Sequence, residues 1–291
     1  MNKPSVSVIV PCHNGGRFFD GLLASLEAQD FRDFETIIVN NGSTEDLTLK
    51  KLAELPPSIR VVHQENRYLP GARNTGFREA RADFVLPLDC DDRLDPSFLA
   101  ETVAVLRAAP REVAFAFAHM RLTGDMDGVM TRHFNAFDQL FLNQLPYCML
   151  IRRSAWQAAG GYDEAMHDGM EDWEFSIRLL RAGFRGVEIA RPLFIYQVRM
   201  DGMLMSRAAR MHGTIWRYIR AKHGDLYRLP ALIASWRSSR ATPGKVAPLK
   251  AAGLLGLATL LPEAWFNRWF YRTLTMARAR RVDRGEYQGA R

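Results

Sequence analysis

The chain has 291 residues, of which 47% are hydrophobic and 24% charged, so it has ample apolar material for one large domain or a domain with an extension. Its three cysteines, Cys12, Cys90 and Cys148, form no CxxC pair and no metal-ligand spacing. This scatter argues against a disulfide framework and a cysteine-held metal, and we expect reduced thiols in a cytoplasmic protein. The N-terminus has too short an apolar run for a signal peptide, so we expect no export.

The charge of the chain is distributed unevenly along its length. Residues 1–206 carry 22 Lys and Arg against 28 Asp and Glu, a net charge of −6. Residues 207–291 carry 17 against 4, a net charge of +13, so the overall charge of +7 belongs to the tail. A basic tail suits an anionic partner, either lipid headgroups or nucleic acid.

The first half of the chain alternates short apolar runs with stretches of helical periodicity. The runs predict strands, and the periodic stretches that follow them predict helices. The predicted strands are 5–10, 35–39, 59–62 and 84–88, and the predicted helices include 45–54, 71–81 and one around Phe18, Leu22 and Leu26. Such alternation with short connections predicts an α/β fold, with an open, mostly parallel sheet flanked by helices on both faces.

Polar segments follow three of these strands where each strand ends. They are Pro11-Cys12-His13-Asn14, Asn40-Asn41-Gly42-Ser43 and Asp89-Cys90-Asp91-Asp92. Ligands of open α/β sheets bind at the carboxyl ends of the strands, so we expect the three segments to meet at one rim. Pro87 removes a ladder donor, which favours a strand end or an edge position there.

The acidic segment 89–92 places three carboxylates directly after a buried strand. Their mutual repulsion is relieved by protonation, water or a cation, and hard divalent ions such as Mg²⁺ or Mn²⁺ prefer these oxygen ligands. The alternative is a solvated acidic turn that caps the next helix. The sequence contains no GxGxxG after the first strand and no GxxxxGK[ST], so a metal held by carboxylates is the remaining way to grip a diphosphate.

A second acidic segment precedes the helical stripe formed by Trp173, Ile177, Leu180 and Phe184. Glu171 and Asp172 fall in the first turn of that helix, where acids complement the helix dipole, and Asp168 stands at capping-box spacing from Glu171. The functional interpretation is a general base aimed at an acceptor hydroxyl. The sequence alone leaves both interpretations open.

Residues 4–206 resemble the family-2 glycosyltransferases, inverting enzymes with the GT-A fold. The resemblance rests on the joint order and spacing of short motifs that are each weak alone. They are Val8-Ile9-Val10-Pro11 with Asn14, Gln29, Val39-Asn40-Asn41-Gly42-Ser43, Gly71-Ala72-Arg73-Asn74-Thr75-Gly76, Leu88-Asp89-Cys90-Asp91-Asp92, Gly161-Tyr162-Asp163-Glu164, Glu171-Asp172 and Arg181-Ala182-Gly183-Phe184.

The resemblance implies transfer of a sugar from a nucleotide-diphosphate donor to a hydroxyl, with inversion at the anomeric carbon. It implies that Asp91 binds a divalent metal, Mn²⁺ or Mg²⁺, and that Asp89 contacts the ribose or the same metal. It makes Asp172 the base that deprotonates the acceptor, supported by Glu171. It also implies a donor pocket formed by Arg73 near the nucleotide and by Pro11, Asn14, Asn40 and Asn41 around the nucleobase and ribose.

Two positions depart from the pattern of the family. Many relatives carry an Asp pair before Gly-Ser where this chain has Asn40-Asn41, which leaves the base preference open because an amide both accepts and donates. A UDP-sugar is favoured, with dTDP- and GDP-sugars as alternatives. Many relatives also have a histidine metal ligand where this chain has Arg199, which can grip a phosphate but cannot ligate a metal.

Residues 207–291 are predicted to form a mostly helical, basic C-terminal extension. Ala251–Leu261 is apolar but much shorter than the roughly 20 residues of a spanning helix. The segment from Trp265 to Arg272 interleaves aromatics with arginines, which suits the interface of an anionic membrane. The alternative is a helical subdomain that packs on the catalytic domain of residues 1–206. We expect no nucleic-acid partner, since no binding module is present.

The sequence therefore predicts a metal-dependent glycosyltransferase at the cytoplasmic face of the membrane, acting on a saccharide or lipid-linked acceptor in the synthesis of cell-surface polysaccharide or glycolipid. A non-catalytic module that binds nucleotide sugars is one alternative. A sugar nucleotidyltransferase is another, although it would require a Gly-rich, basic loop that Pro11–Arg17 matches poorly.

Overall fold

A nine-stranded sheet forms the centre of the protein in a computed structural model that describes residues 3–199, 209–242, 244, 246–269 and 272. The strands are β1 Val6–Cys12, β2 Phe34–Asn41, β3 Ile59–Gln64, β4 Phe84–Pro87, β5 Arg93–Leu94, β6 Val113–Gly124, β7 Gly128–Met130, β8 Leu150–Arg152 and β9 Arg185–Val198. The helices are α1 Phe19–Glu27, α2 Asp46–Ala53, α3 Tyr68–Glu79, α4 Phe98–Ala108, α5 Ala136–Gln139, α6 Arg153–Ala159, α7 Glu171–Arg181, α8 Ala209–Lys222, α9 Leu229–Ser238 and α10 Pro248–Leu260.

The strands lie in the order β3-β2-β1-β4-β8-β6-β9-β5, and β7 pairs with β6. The first four strands are parallel, β8 is antiparallel to both of its neighbours, and β6 and β9 are parallel to each other. The α/β fold with a mostly parallel sheet is therefore confirmed. Pro87 ends the central strand β4, as its missing donor predicts.

Both faces of the sheet are buried, which explains why β1 is apolar along nearly its whole length. One face packs on α1 and α4 through Leu22, Leu26, Phe98 and Leu106. The other face packs on α3, α6 and α7, where Gly76 of α3 lies so close to β1 that a Cβ atom would stand 1.9 Å from Ile9. Only glycine allows the helix to approach the strand this closely.

The described part of the extension packs on the first 199 residues through its own buried cluster. Trp216 and Ile219 of α8 are fully buried against Trp173 and Ile177 of α7 and against Phe141. The indole of Trp216 donates to the carbonyl of Leu140 at 2.9 Å. This core is the packing expected of the helical-subdomain alternative.

An ionic network joins α7 to α8 beside this core. Glu174 is fully buried and binds Arg178 at 2.7 Å, Lys222 at 2.8 Å and His223 at 2.9 Å. These donors lower the pKa of Glu174 to about 2 despite its burial. Lys222 also binds Asp163 at 2.5 Å, so one lysine ties the extension to two segments of the domain.

No helix among the described residues is both long enough and apolar enough to cross a bilayer. Helix α10 covers the apolar stretch predicted at 251–261, and residues 263–269 are helical. The predicted boundary at 206/207 lies outside the described residues, and so do Phe270 and Tyr271 of the aromatic-arginine segment.

Candidate active site

The three polar segments meet at one edge of the sheet, as expected. Strands β1, β2 and β4 are neighbours and run parallel, so Pro11, Asn40 and Asn41 lie near the carboxyl ends of their strands, beside the acidic segment that follows Pro87. Pro11 is buried within β1, opposite Val39. The parallel register therefore brings together side chains that are up to 80 residues apart in the sequence.

Asn14 and Asn40 organise the loop that follows β2. Asn14 has a positive φ of 55°, and its side-chain oxygen accepts from the backbone N–H groups of Thr44 at 2.8 Å and Glu45 at 3.0 Å. Asn40 accepts from the N–H of Ser43 at 3.0 Å. Both side chains therefore hold the loop in place. Their contact with a donor stays a prediction.

The amide of Asn41 is fully hydrogen-bonded within the protein. Its oxygen accepts from Gln64 Nε2 at 2.6 Å and the Arg67 N–H at 2.9 Å. Its Nδ2 donates to Asn66 Oδ1 and the Tyr68 carbonyl, both at 3.1 Å. An amide offers two donors and two acceptor lone pairs, so all four are engaged. In this arrangement Asn41 holds the segment 64–68 beside the end of β2.

Arg73 joins the two acidic segments. Its guanidinium is 1% exposed and donates to both oxygens of Asp89, at 2.9 and 3.1 Å, and to Glu171 Oε1. The guanidinium also lies over the ring of Tyr147, 4.6 Å from its centroid. The buried guanidinium of Arg73, on α3, thereby links the acidic turn to the start of α7.

A chain of hydrogen bonds fixes the acidic turn from below. The Asp89 N–H donates to the hydroxyl of Tyr147 at 3.0 Å, and that hydroxyl donates to Asp92. Asp92 is 1% exposed and also accepts from the N–H of Gln197 at 2.7 Å. Burial and the neighbouring carboxylates raise its pKa well above the ordinary range, so Asp92 is a structural anchor of the turn.

Asp91 is the carboxylate of the turn that faces the rim. Its side chain is 27% exposed, and Arg199 Nη1 lies 3.7 Å from its Oδ2. Burial and the charge of Asp89 raise the pKa of Asp91 to about 6, against the opposing effect of Arg199 and Arg17. Asp89 and Asp91 repel each other across one intervening residue, and a cation placed between them would relieve that repulsion.

Glu171 and Asp172 occupy different environments at the start of α7. Glu171 is buried against Arg73, and burial raises its pKa to about 7. Asp172 is half-buried and its Oδ2 accepts from the Asn143 amide at 2.9 Å. Burial also raises the pKa of Asp172, while Arg73 and Asn143 favour its ionised form. The helix begins after Met170, which has a φ of 61° and no side-chain cap, so the capping box predicted from Asp168 is not formed.

Gly15 packs the loop after β1 against the acidic turn. A Cβ atom at this position would stand 2.4 Å from Cys90 Sγ and 3.7 Å from Cys12 Sγ. The hydrogen bond between the two thiols lowers the pKa of Cys12 to about 7. The side chain of Cys90 in the acidic turn therefore rests directly on the loop that follows β1.

The structure joins the two acidic segments through Arg73 and places the ends of β1 and β2 beside the first of them. Sequence reasoning missed the residues that position them, namely Tyr147, Asn143, Gln197 and Gly15. The one visible signal was Tyr147 itself, since the hydroxyl of a buried tyrosine requires a partner. Asn143 and Gln197 carried none, because their partners lie 29 and 105 residues away.

Comparisons with known proteins identify the family of the chain. The model of "Glycosyl transferase family 2" matches residues 7–161. The chain belongs to glycosyl transferase family 2. It is 28% identical over 207 residues to the O-antigen biosynthesis protein RfbC of Myxococcus xanthus. The aligned segment covers 66% of this chain and 16% of RfbC. The matched segments make up about a third or less of the length of the curated relatives.

Solved structures of glycosyltransferases share the fold. Residues 1–349 of TarS from S. aureus, in complex with UDP-GlcNAc, superpose with a TM-score of 0.63 at 17% identity, over 94% of this chain and 92% of that one. The mannosyltransferase PcManGT from Pyrobaculum calidifontis, in complex with GDP-Man and Mn²⁺, gives 0.57 at 20% identity, over 93% and 86%. The GT-A fold implied by the motifs is confirmed, and the family makes the chain a glycosyltransferase.

Proposed function

We propose that this glycosyltransferase transfers a sugar from a nucleotide-diphosphate donor to an acceptor hydroxyl with inversion, Asp172 being the base. The observation that carries the proposal is the double ion pair of Arg73, which holds Asp89 and Glu171 against one guanidinium. An acidic turn suited to a metal ion that binds the diphosphate is thereby fixed close to a second pair of carboxylates. That arrangement divides donor binding from proton abstraction.

Asp172 suits the base better than Glu171. Glu171 is engaged by the buried Arg73, whereas Asp172 is partly exposed and is oriented by Asn143. Burial raises the pKa of Asp172, which strengthens it as a base, and the Asn143 amide favours the ionised form that a base requires. Glu171 then fixes the start of α7 and keeps the base aimed at the rim.

The donor set of the acidic turn fits a divalent metal. Asp91 is partly exposed, its pKa is raised by burial and by the charge of Asp89, and carboxylate oxygens are the ligands that Mn²⁺ and Mg²⁺ accept. Asp91 would hold the ion, with Asp89 contributing from its place on Arg73. When bound, the ion neutralises negative charge on the leaving diphosphate. Arg199 lies beside Asp91 and offers the same diphosphate a bidentate grip.

On the donor side, Pro11, Asn14, Asn40 and Asn41 form the floor of the nucleoside pocket. We propose a UDP-sugar as the preferred donor, which agrees with the UDP-GlcNAc bound to TarS, and dTDP- and GDP-sugars as alternatives. Because the Asn41 amide is saturated within the protein, base selection falls to the loop groups that it positions, including the segment 64–68.

The test is a panel of labelled UDP-, dTDP- and GDP-sugars with Mn²⁺ and Mg²⁺, measured for donor binding and for slow hydrolysis. We expect Asp91→Ala to abolish metal-dependent donor binding. Asp172→Asn should retain binding and lose turnover by about 10²- to 10⁴-fold, the usual contribution of a general base. Asp83→Ala is the matched control, since Asp83 pairs with Lys3 just before β4, at the opposite end of that strand from the acidic turn. Full turnover in Asp172→Asn refutes the base assignment, and silence with every donor favours a binding module.

The acceptor is proposed to be a saccharide or lipid-linked hydroxyl at the cytoplasmic face of the membrane, in the synthesis of cell-surface polysaccharide or glycolipid. The extension supports this location. Leu249 and Leu260 are 88% and 82% exposed, and eleven residues separate them, so they lie about 20° apart around α10. Trp265 is 72% exposed nearby in the sequence, and Lys250 and Arg268 are exposed cations. Exposed apolar side chains beside cations favour an anionic lipid surface.

Sedimentation with vesicles tests this location. We expect the protein to sediment with phosphatidylglycerol vesicles, less with phosphatidylcholine, and less at high salt. The double variant Leu249→Glu with Trp265→Glu should remain in solution. Leu49→Glu is the control, because Leu49 is a 42% exposed leucine of α2 outside the extension. Equal sedimentation of the double variant and the control contradicts the proposal.

A further inference from the structure

Two histidines and a glutamate converge at a place that the proposed reaction does not use. His119 Nε2 lies 2.9 Å from Glu188 Oε1, and His133 Nδ1 lies 3.0 and 3.1 Å from the two oxygens of Glu188. The three candidate ligand atoms all lie within 4.8 Å of one another. We propose that His119, His133 and Glu188 form a binding site for a Zn²⁺ ion, separate from the acidic turn of the donor site.

The spacing of the three side chains matches the requirements of zinc. Zinc–nitrogen and zinc–oxygen bonds of about 2.0–2.2 Å place tetrahedral ligands roughly 3.3–3.6 Å apart. The separations of about 3 Å to Glu188 need only a small outward shift to reach that value. The two imidazole rings meet edge to face, with centroids 5.6 Å apart, so their ring nitrogens approach the carboxylate from different directions.

The backbone holds the three ligands in place. Phe117 of β6 pairs with Glu188 of β9, and His119 follows two residues later, so His119 and Glu188 share one face of the sheet. The β6–β9 register then shifts between Ala118 and Met120, and such bulges re-aim side chains. Ligands that stand on paired strands are more precisely placed than ligands on loops.

The third ligand is supplied by the segment between β7 and α5, which is itself anchored. Phe134 packs edge to face on Phe115 at 5.9 Å, and Asn135 caps α5 by accepting from Phe137 and Asp138. His133 is therefore held next to two fixed residues. Its side chain is 44% exposed, whereas that of His119 is 8% exposed, so the site is closed on the His119 side and open to solvent on the His133 side.

The chemistry of the set selects zinc among common ions. Two imidazoles and one carboxylate with a fourth position for water are a usual zinc environment, whereas Mg²⁺ prefers oxygen ligands alone. Each histidine binds the metal as the neutral tautomer whose proton is on the ring nitrogen away from Glu188, which leaves a lone pair for the metal on the other nitrogen. An ion here would fix the segment that leads from β7 through α5 to Asn143, the partner of Asp172.

The test is equilibrium dialysis of the full-length, untagged protein with Zn²⁺ alone, with bound metal counted by mass spectrometry. We expect one tightly bound ion, retained in Asp91→Asn, which alters the donor-site carboxylate. His133→Ala should lower the affinity at least tenfold, because one of three protein ligands is lost. His167→Ala, which removes an exposed histidine that stacks on Tyr68, should bind as the wild type does.

Visible spectra with Co²⁺ in place of Zn²⁺ supply a second measurement. We expect the absorption of a four-coordinate ion in the wild type and its loss in His133→Ala and in Glu188→Gln. His133 is the primary target because its side chain is partly exposed, so its replacement should leave the fold intact. A thermal melt of each variant verifies that it is folded. Absence of stoichiometric Zn²⁺, or equal binding by His133→Ala, refutes the site and leaves the triad as a hydrogen-bonded strut.

Discussion

Replacing Arg73 with methionine removes the cation that the buried Glu171 and the partly exposed Asp89 share. The guanidinium is 1% exposed and donates to both oxygens of Asp89 and to Glu171. Removing one partner of a buried ion pair costs about 3–5 kcal/mol, because the other charge is left in a medium that solvates it poorly. Glu171 can limit this cost by taking up a proton, so we expect about 3 kcal/mol near neutral pH.

The loss is expected to depend on pH. Without Arg73 the pKa of Glu171 rises beyond its present value of about 7, since Arg73 is the main group that lowers it. A carboxyl whose pKa is higher in the folded state than in the unfolded state destabilises the fold increasingly as pH rises through that range. Arg73→Met should therefore be less damaging at pH 6 than at pH 8.

Thermal and urea unfolding followed by circular dichroism measure both effects. A loss of 3 kcal/mol corresponds to a fall in Tm of about 6–12 °C. The control is Arg191→Met, since Arg191 is 58% exposed in its ion pair with Glu101 and such pairs contribute about 0–1 kcal/mol. If Arg73→Met and Arg191→Met have the same Tm at both pH values, Arg73 does not stabilise the fold through its buried ion pairs.

Three further predictions concern other parts of the structure. Gly15→Ala places a methyl group 2.4 Å from Cys90 Sγ, so it should displace the acidic turn and weaken donor binding at least tenfold in calorimetry, with little change in Tm. Asn143→Leu removes a hydrogen bond to ionised Asp172, so the acidic limb of the kcat/KM profile should move to higher pH; an unmoved limb contradicts the base assignment. Glu174→Gln should lower the free energy of unfolding, measured in urea at pH 7, by about 3–5 kcal/mol. Because the pKa of Glu174 is lowered from 4.5 to about 2, the gap from wild type should shrink as pH falls through that interval, and a constant gap refutes the ionic network.

The order of elements was predictable because burial on both faces of a parallel sheet leaves uninterrupted apolar runs, as in β1 and β2. The convergence of Asn41 and Asp89 was predictable too, because parallel strands end at one edge. The partners of Arg73 were not, since they lie 16 and 98 residues away and no periodicity relates them. The saturation of Asn41 depends on loop positions from 64 to 68, which a single sequence does not determine.

The packing of the extension was also beyond sequence reasoning. The aromatic and basic residues of the tail have the same composition whether they face lipid or a neighbouring helix. Trp216 is fully buried, whereas Trp265 is 72% exposed, and only the tertiary contacts separate the two. A tryptophan in an amphipathic helix suits burial and a membrane interface equally, so composition alone does not tell which of the two each tryptophan of the tail adopts.

The network around Glu174 has a consequence for recombining members of this family. The family match ends at residue 161, before α7, so an exchange of donor specificity would naturally be cut there. Yet α7 carries Glu171 and Asp172 on its first turn and is bound to α8 through Lys222 and His223. A chimera that joins this α7 to a foreign extension would remove two of the three partners of the buried Glu174, which lies three residues from Glu171. Viable crossovers must therefore inherit α7 and α8 from the same parent.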